Sequence, residues 1–136
     1  MHIYERPVRF EDVDAAQIVF FPRFFGYCHE AMERLFDELA GGYVSLIRDR
    51  KIGFPAVHVE SDFKHPLRYG DVARIETTVE RVGNKSCSFR YAIRLGRGEV
   101  IASVLHVCVV SDLANLSGIP IPDDVRTVLE RHLPPR

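Results

Sequence analysis

The hydrophobic period of this chain changes between residues 39 and 57, and that change limits the folds that it can adopt. Between residues 22 and 39 the apolar side chains recur at steps of three and four, as on one face of a helix. They are Phe24, Phe25, Cys28, Ala31, Met32, Leu35, Phe36 and Leu39. From residue 57 onward the apolar side chains recur at every second position, which is typical of strands. The chain must therefore bury one broad helix face against a sheet.

Several segments behind the helix have the two-residue period, and turn signals separate them. They are residues 57–63, 72–82, 85–95 and 99–111. Gly83-Asn84 predicts a tight hairpin, and Gly96-Arg97-Gly98 predicts the next one. The last segment is apolar on both faces for much of its length, which is typical of a central strand or of a subunit contact.

The remaining segments complete an α+β pattern. Residues 2–10 are expected to form a first strand, and Gly41-Gly42 is expected to end the long helix. Shorter helices are predicted at 43–50 and at 123–133. A strand, a long helix and then antiparallel strands predict the hot-dog arrangement, with one antiparallel sheet wrapped around a long central helix.

Composition limits the class of protein. A chain of 136 residues is long enough for one domain, residues 1–136, with a single core. A net charge of −1 without a Lys/Arg run argues against a nucleic acid partner. No apolar run approaches the roughly 20 residues of a membrane helix, and the first residues have no signal-peptide core. We therefore expect a cytoplasmic protein without a membrane partner.

The number and spacing of the cysteines also favour a cytoplasmic protein. Cys28, Cys87 and Cys108 are odd in number and widely spaced, which predicts reduced, buried thiols and not a disulfide frame or a zinc site. His29 and Glu33 have i,i+4 spacing, but nothing indicates a third ligand, so no metal ion is expected. The chain also lacks the G-x-S-x-G motif of serine hydrolases.

The segment before the long helix combines acidic and apolar residues. Glu11, Asp12 and Asp14 run directly into the apolar residues 18–21, where an unpaired carboxylate is costly. We interpret Glu11 and Asp12 as loop charges. Asp14 lies eight residues before Pro22, too far to cap the helix, which leaves a turn residue or a catalytic carboxylate as interpretations.

The start of the long helix supplies the second half of a possible reaction site. A helix N-terminus offers free backbone N–H groups to a developing oxyanion. Pro22 has no N–H, so the donor must be a neighbour such as Phe21. A carboxylate opposite this end would allow attack on a carbonyl group held between them. The pattern favours acyl transfer.

Residues 8–33, VRFEDVDAAQIVFFPRFFGYCHEAME, resemble the signature of the 4-hydroxybenzoyl-CoA thioesterase family of hot-dog fold. The shared pattern is an Asp, two small residues, an apolar turn, an aromatic residue or His, and the start of the central helix. The resemblance extends over about residues 5–111. It implies that Asp14 acts as nucleophile or as general base, and that the backbone N–H of Phe21 polarises the thioester carbonyl. It implies no cofactor, because CoA is part of the substrate.

Two details of the resemblance bear on the acyl group. Phe21 stands where family members that act on aliphatic acyl groups have His, and members that act on aromatic acyl groups have an aromatic residue. The segment GYCHEAME and the pair Val57-His58 resemble 1,4-dihydroxy-2-naphthoyl-CoA thioesterases. The resemblance therefore implies an aromatic acyl-CoA. His29, Glu30 or His58 would contact a ring hydroxyl, or would face solvent or a subunit contact.

The resemblance also implies which residues bind CoA, and one position departs from the family pattern. The family places CoA contacts in the turn that here contains Asn84, Lys85 and Ser86. Basic residues that some members carry earlier in this turn are absent, and Arg81 or Arg90 would either replace them or be solvated strand-edge charges. Gln17 occupies a position where the family usually has Gly, so its loop needs a conformation that tolerates a side chain.

A single sheet around one helix leaves a sheet edge open, and pairing between two copies would cover it. The resemblance implies a homodimer, often doubled to a homotetramer, with the active site at the subunit interface. Three alternatives stay open. They are a thioesterase for aliphatic acyl-CoA or acyl-carrier-protein substrates, a hydratase or dehydratase, and a non-catalytic acyl-CoA binding module.

Overall fold

The alternating segments form the strands of one antiparallel sheet. The computed structural model describes residues 1–135, and its main sheet has five strands in the order β1-β4-β5-β6-β3. The strands in chain order are β1 (His2–Pro7), β2 (Ile52–Gly53), β3 (Ala56–Phe63), β4 (Val72–Val82), β5 (Ser86–Leu95), β6 (Val100–Val109), β7 (Ser111–Asp112) and β8 (Ser117–Gly118). β2, β7 and β8 form a separate small sheet. These two-residue strands were not predicted, because they are too short to show a period.

The helices follow the predicted positions. They are α1 (Pro22–Leu35), α2 (Gly42–Arg48) and α3 (Asp123–Glu130). α1 starts at its proline and continues as a 3-10 turn, Phe36–Glu38. The chain then turns at Gly41, whose φ of 79° is favourable only for glycine. The predicted first strand stops at Pro7 instead of residue 10, because the chain enters a 3-10 turn at Phe10–Asp12.

The core lies between the inner face of the sheet and the apolar face of α1. Alternate residues of β4 and β5 are fully buried there, as their period predicts. They are Ala73, Ile75, Thr77, Val79, Cys87, Phe89, Tyr91 and Ile93. Burial of these side chains stabilises the folded state in proportion to the apolar area removed from water, by about 25 cal/mol per Å². The prediction of an α+β hot-dog fold is confirmed. The last residue of the predicted domain, Arg136, lies outside the described residues.

One edge of the sheet is apolar and exposed. β3 pairs only with β6 among the described residues, so the outer row of its backbone groups is free. Val57, Val59 and Phe63 on this strand keep a large part of their surface in water. The pairing register shifts between Ala56 and His58, which is a bulge at Val57. This edge lies beside α1 and therefore borders the site described next.

Candidate active site

Asp14 lies on a short turn that precedes α1. Val13 and Val19 form an antiparallel bridge across the base of this turn. Inside the turn the Asp14 N–H donates to the Ile18 carbonyl at 3.0 Å, and the Gln17 N–H donates to the Asp14 carbonyl at 2.9 Å. Gln17 has a φ of 65°, the left-handed conformation for which a glycine is normally required. The loop therefore does hold a side chain where the family usually has Gly.

The Asp14 carboxylate is exposed and does not cap the helix. Its Oδ1 accepts the Ala16 N–H at 2.8 Å, a local turn contact. Its other oxygen has no hydrogen-bond partner among residues 1–135. The residue at the start of α1, Phe21, receives no side-chain cap. One carboxylate oxygen of Asp14 is thus available to a substrate or to a water molecule.

A single free N–H marks the start of α1. The N–H groups of Arg23 and Phe24 donate to the carbonyls of Phe20 and Phe21 at 2.8 and 3.1 Å, and Pro22 has no N–H. The Phe21 N–H has no acceptor within the described part of the chain. Because this group sits at the positive end of the helix dipole, it is suited to an oxyanion. The role of the Phe21 N–H as the oxyanion donor stays a prediction.

Asp12 is not a loop charge, and the interpretation made from the sequence was wrong for this residue. Its side chain is 0% exposed. It accepts hydrogen bonds of 2.8 Å from the Arg6 guanidinium, the Arg9 backbone N–H and the Tyr27 hydroxyl. Burial alone would raise the pKa of Asp12, but these hydrogen bonds hold it below its usual value. Glu11 is exposed beside Arg9, as a loop charge would be.

The cluster formed by Asp12, Arg6 and Tyr27 holds the turn that carries Asp14 from one end. The Asp12 backbone carbonyl accepts the Phe20 N–H at 2.9 Å, so one residue fixes both the start of the turn and the entry to α1. Arg6 also lies 3.3 Å from a Glu30 carboxylate oxygen and stacks over the Tyr27 ring at 4.8 Å. The turn is fixed from its other end by Leu67, whose carbonyl accepts the Val19 N–H at 2.8 Å. These contacts pre-organise the segment that carries Asp14.

A cavity of about 440 Å³ lies between α1 and the exposed edge of the sheet. Its helix side is formed by Phe25, Cys28 and His29. Its sheet side is formed by Ala56, Val59, Ser61, Tyr91, Val104 and His106. A mostly apolar cavity of this size with a few polar groups is typical of a small-molecule site. Its volume is large enough for a small organic group.

A second cavity of about 270 Å³ opens at the start of α1. Phe63 of β3 lies between the two cavities, with its ring centroid 6.2 Å from that of Phe21 and 6.1 Å from that of Phe25. Ile18 and Val19 of the apolar turn also line the smaller cavity, whereas Asp14 lines neither of the two. The ring of Phe63 thus contacts one ring that lines each cavity, Phe21 in the smaller and Phe25 in the larger.

The structure separates the three residues expected to contact the acyl group. His29 lines the larger cavity and pairs with Glu33 at 3.4 Å. Glu30 lies on another side of α1, paired with Arg6. His58 lies on the exposed edge strand, where its Nε2 contacts Glu60 at 2.7 Å, and it does not line the cavity. Of these three residues, only His29 lines the larger cavity of its own protomer.

The turn expected to bind CoA lies at the opposite end of the sheet. Asn84 and Lys85 form a turn closed by the Gly83 N–H, which donates to the Ser86 carbonyl at 2.7 Å. Along β6, Ala102 pairs with Phe63 and Val109 pairs with Ser86. At about 3.4 Å per residue, these two positions are roughly 24 Å apart. The structure therefore does not bring this turn to Asp14 of the same protomer.

The candidate substitutes for a CoA contact differ in their surroundings. Arg90 is paired with Glu80 at 3.1 Å on the outer face of the sheet, as a solvated surface charge would be. Arg81 is exposed beside the same turn as Lys85. Arg126 of α3 donates to the Gly83 carbonyl at 2.8 Å and so fixes the turn from the side of α3.

Comparison with known proteins decides the family. The family model described as the thioesterase-like superfamily matches residues 8–129. The chain belongs to this superfamily. A 1,4-dihydroxy-2-naphthoyl-CoA hydrolase of Nostoc punctiforme is 30% identical over 128 residues, which are 93% of this chain and 85% of the relative. The hydrolase of the same name from Synechococcus elongatus is 32% identical over 86% of this chain and 88% of its own.

Solved structures of this superfamily have the same fold. A gentisyl-coenzyme A thioesterase is 36% identical with a TM-score of 0.83, covering 91% of this chain and 98% of its own. A 1,4-dihydroxy-2-naphthoyl-CoA thioesterase from Synechocystis is 26% identical with a TM-score of 0.85, covering 94% of each chain. The resemblance stated from the sequence to hot-dog acyl-CoA thioesterases is confirmed.

The structural roles of several residues near the site were not predicted from the sequence. Asp12 and Arg6 were missed, although Arg6 alternates with Tyr4 on β1 and a charge at an inward position requires a partner. His106 was missed because its strand is apolar on both faces. Its alternation with Val104 and Cys108 places it on the inner face and could have identified it.

Other features of the described chain bear on cofactors and thiols. No group of three or more His, Cys, Asp or Glu side chains in residues 1–135 is arranged to hold a metal ion. No helix in the same range is both long and apolar enough to span a membrane. Cys28, Cys87 and Cys108 are free and buried. Burial raises the pKa of the Cys28 thiol, so this cavity residue is not a thiolate nucleophile.

Proposed function

We propose that this chain hydrolyses an aromatic acyl-CoA, of hydroxybenzoyl or dihydroxynaphthoyl type, to the free acid and CoA. The observation that carries the proposal is the free N–H of Phe21, a residue that follows the turn presenting Asp14 and lines the smaller of the two cavities. The relatives named above support this reaction, because they are hydrolases or thioesterases of aromatic acyl-CoA substrates.

The chemistry assigns one role to each group. The thioester carbonyl oxygen accepts the Phe21 N–H, which stabilises negative charge as the carbonyl is attacked. Asp14 attacks the carbonyl carbon itself, or removes a proton from the water molecule that does so. The C–S bond then breaks and the CoA thiolate leaves. In the general-base route it takes up the proton that Asp14 removed from the water molecule, and the free acid is released directly. In the nucleophilic route a water molecule then cleaves the acyl–Asp14 anhydride, which releases the free acid, restores the Asp14 carboxylate and supplies the proton that the thiolate takes up. Neither route uses a cofactor, so chelating agents are expected to leave turnover unchanged.

The site is proposed to be completed by a second copy of the chain. Two β3 strands paired antiparallel would cover the free edge and the exposed Val57, Val59 and Phe63. Antiparallel pairing places the Asn84–Ser86 end of one protomer on the same side as Asp14 of its partner. Asn84, Lys85 and Ser86 would then contact CoA across the interface. We propose a homodimer, alone or doubled to a homotetramer, in the cytoplasm, where free cysteines stay reduced.

Replacement of Asp14 tests the catalytic assignment. We expect Asp14→Asn to lower kcat at least about 100-fold, because the amide is neither a nucleophile nor a general base. Affinity for a thioether analogue of the substrate, measured by calorimetry, is expected to stay within about threefold, because Asp14 lies outside both cavities. The matched control is Glu11→Gln, an exposed acid of the same segment, which should keep full turnover.

The outcomes of this test separate the alternatives. Unchanged hydrolysis by Asp14→Asn would contradict the assignment of Asp14. Tight binding without turnover by the parent protein would identify an acyl-CoA binding module. Faster hydration of crotonyl-CoA than cleavage of any thioester would identify a hydratase.

A second candidate is a thioesterase for aliphatic acyl chains, because the larger cavity is mostly apolar. A panel of hexanoyl-, benzoyl-, 4-hydroxybenzoyl- and 1,4-dihydroxy-2-naphthoyl-CoA, assayed by release of free thiol, distinguishes the two. We expect the highest kcat/KM with a hydroxylated aromatic substrate. A preference for hexanoyl-CoA would reject the aromatic acyl group and leave the thioesterase assignment intact.

A further inference from the structure

The larger cavity has polar groups on its sheet side that thioester cleavage does not use. They are Ser61 of β3, Tyr91 of β5 and His106 of β6. Between them the surface is apolar. A few polar groups in an apolar cavity fix the orientation of a ligand and distinguish it from analogues. An unsubstituted acyl chain would offer these groups no hydrogen bond from the ligand.

The strand register brings the three groups together. Tyr91 and Ser61 are the two cross-strand partners of Val104, one on each side of it. His106 is the next inward position along β6 and pairs with Val59. All of these residues share the face that is turned toward α1. The polar groups therefore form one cluster on the cavity surface.

The His106 ring is held in a defined orientation. It packs against the rings of Phe89 and Tyr91, with centroid distances of 5.9 and 6.1 Å. Its Nδ1 lies 3.2 Å from the Tyr91 hydroxyl oxygen, and its Nε2 lies 3.2 Å from the Cys108 sulfur. Such contacts limit the rotamers of a side chain and pre-organise it for a ligand.

These contacts also define where the proton of His106 resides. Tyr91 is fully buried, and His106 Nδ1 is the hydrogen-bond partner of its hydroxyl among residues 1–135. Because a buried hydroxyl donates its proton when an acceptor is present, Nδ1 is the acceptor and the ring proton is on Nε2. Nε2–H then has only the Cys108 sulfur, which is a weak acceptor. This donor is available to a stronger acceptor, such as an oxygen atom.

We infer that His106, held by Tyr91 and Cys108, is a specificity-determining residue that donates its Nε2–H to a ring hydroxyl oxygen of the acyl group. The inference rests on the proposed function, because it requires an aromatic acyl group in this cavity. Ser61, whose hydroxyl has no hydrogen-bond partner in the described chain, is a second contact on the same surface. His106 is partly exposed, whereas Tyr91 is fully buried. A ligand in the cavity therefore contacts His106, and Tyr91 acts through its hydrogen bond to His106.

The position of His106 along its strand specifies which hydroxyl it contacts. Phe63 lines the smaller cavity together with Phe21, and it pairs with Ala102 on β6. At about 3.4 Å per residue, His106 is roughly 14 Å along the strand from Ala102. The hydroxyl that it contacts is therefore meta or para to the thioester and not ortho to it, as the 4-hydroxyl of both proposed acyl groups is.

Matched substrate pairs test this role. The pairs are 4-hydroxybenzoyl-CoA with benzoyl-CoA, and 1,4-dihydroxy-2-naphthoyl-CoA with 2-naphthoyl-CoA. We expect the parent protein to prefer the hydroxylated member of at least one pair by about tenfold or more in kcat/KM. His106→Phe keeps the ring packing and removes both nitrogens, so the preference should fall to within about threefold of unity. The kcat/KM of the hydroxylated member should therefore fall by clearly more than that of the unhydroxylated member.

Two further variants separate specificity from folding. His106→Gln keeps an N–H donor and should retain part of the preference. Tyr91→Phe removes only the hydroxyl that fixes Nδ1 and should lower the preference less than His106→Phe. Thermal unfolding of each variant shows whether the fold is intact.

The outcomes distinguish this role from the proposed function. An aromatic hydroxyl preference that survives in His106→Phe, or an equal loss for both members of a pair, overturns the role of His106 alone. A parent protein that prefers hexanoyl-CoA over every aromatic substrate contradicts both this role and the proposed aromatic acyl group.

Discussion

Asp12 and Asp14 are two positions apart and have opposite surroundings. Asp12 is buried with three hydrogen-bond donors, whereas Asp14 is exposed with one local contact. The buried carboxylate compensates the Arg6 charge and holds the turn, which leaves the exposed one available for chemistry. A structural carboxylate and the proposed catalytic carboxylate therefore share one short segment of sequence.

Replacement of Asp12 is expected to destabilise the protein strongly. Asp12→Asn leaves the buried Arg6 charge without its main partner, and breaking a buried pair in this way costs about 3 kcal/mol or more. Glu11→Gln, at the exposed neighbouring position, should change the free energy of unfolding by less than about 0.5 kcal/mol. Urea unfolding at neutral pH compares the two variants. Equal stabilities would contradict the structural role of Asp12.

Asp12 should also contribute to acid sensitivity. Its pKa is lower in the folded protein than in the unfolded chain, so the unfolded state binds more protons in acid. The stability that it contributes is present above the unfolded pKa of about 4 and is lost as the pH falls through the folded value. The free energy of unfolding, measured from pH 6 down to pH 3, should fall less steeply for Asp12→Asn than for the parent. Parallel curves would show that Asp12 does not have a lowered pKa.

Gln17 is predicted to accept glycine without loss. A residue with a side chain loses roughly 1–2 kcal/mol of stability in the left-handed conformation, and glycine avoids this loss. Glycine has a larger conformational entropy in the unfolded state, which offsets part of that gain. Gln17→Gly should therefore leave stability unchanged or raise it by up to about 1 kcal/mol. Lys51→Gly, at another position with positive φ, is the matched control remote from the turn. A loss of stability in Gln17→Gly alone would mean that the Gln17 side chain has a role of its own.

At the level of elements, α1 and β3 together form the site. α1 supplies the free N–H at its start and one side of the cavity, and β3 supplies the other side and the exposed edge. Phe63 joins the two elements, since its ring lies against those of Phe21, Phe24 and Phe25. A change at this edge is therefore expected to affect both assembly and catalysis.

The proposed pairing of β3 can be tested with a charge on its edge. Val57 is 60% exposed and does not line the cavity. Val57→Lys should shift the protein from dimer to monomer, because edge lysines oppose strand pairing. Val44→Lys on α2, where the valine is also 60% exposed, is the control. Analytical ultracentrifugation measures the assembly state, and an unchanged dimer in Val57→Lys would place the interface elsewhere.

At the level of the whole molecule, one protomer holds the parts of the site at two ends of its sheet. Phe21 and the turn that carries Asp14 lie toward the end of the sheet where Phe63 pairs with Ala102 of β6, and the Asn84–Ser86 turn lies at the end where Ser86 pairs with Val109. A two-fold assembly with paired β3 strands would place these ends side by side. The proposed active site would then use residues from both protomers.

Mixed dimers test this arrangement directly. Asp14→Asn should be inactive, and Lys85→Ala should have a raised KM through loss of a CoA contact. After unfolding and refolding of an equal mixture, about a quarter of the sites should contain both an intact Asp14 and an intact Lys85 from the partner. Activity at low substrate concentration should rise accordingly above that of either variant alone. No such recovery is expected if both residues act within one protomer.

The sequence by itself determined the elements and the faces that they bury. The period change located α1 and the main strands, and α1 begins at Pro22 and β4 spans Val72–Val82 as predicted. The motif around Asp14 indicated the family. These properties are local, because the helix and strand periods are set by the backbone geometry of neighbouring residues.

Only the tertiary structure decided the partners of individual side chains. It buried Asp12 against Arg6 and Tyr27, and it turned His106 into the cavity. It also placed the Asn84–Ser86 turn far from Asp14 of the same protomer. These contacts join residues that are distant in sequence. Their energies depend on burial and on the donors nearby, and no local period encodes either.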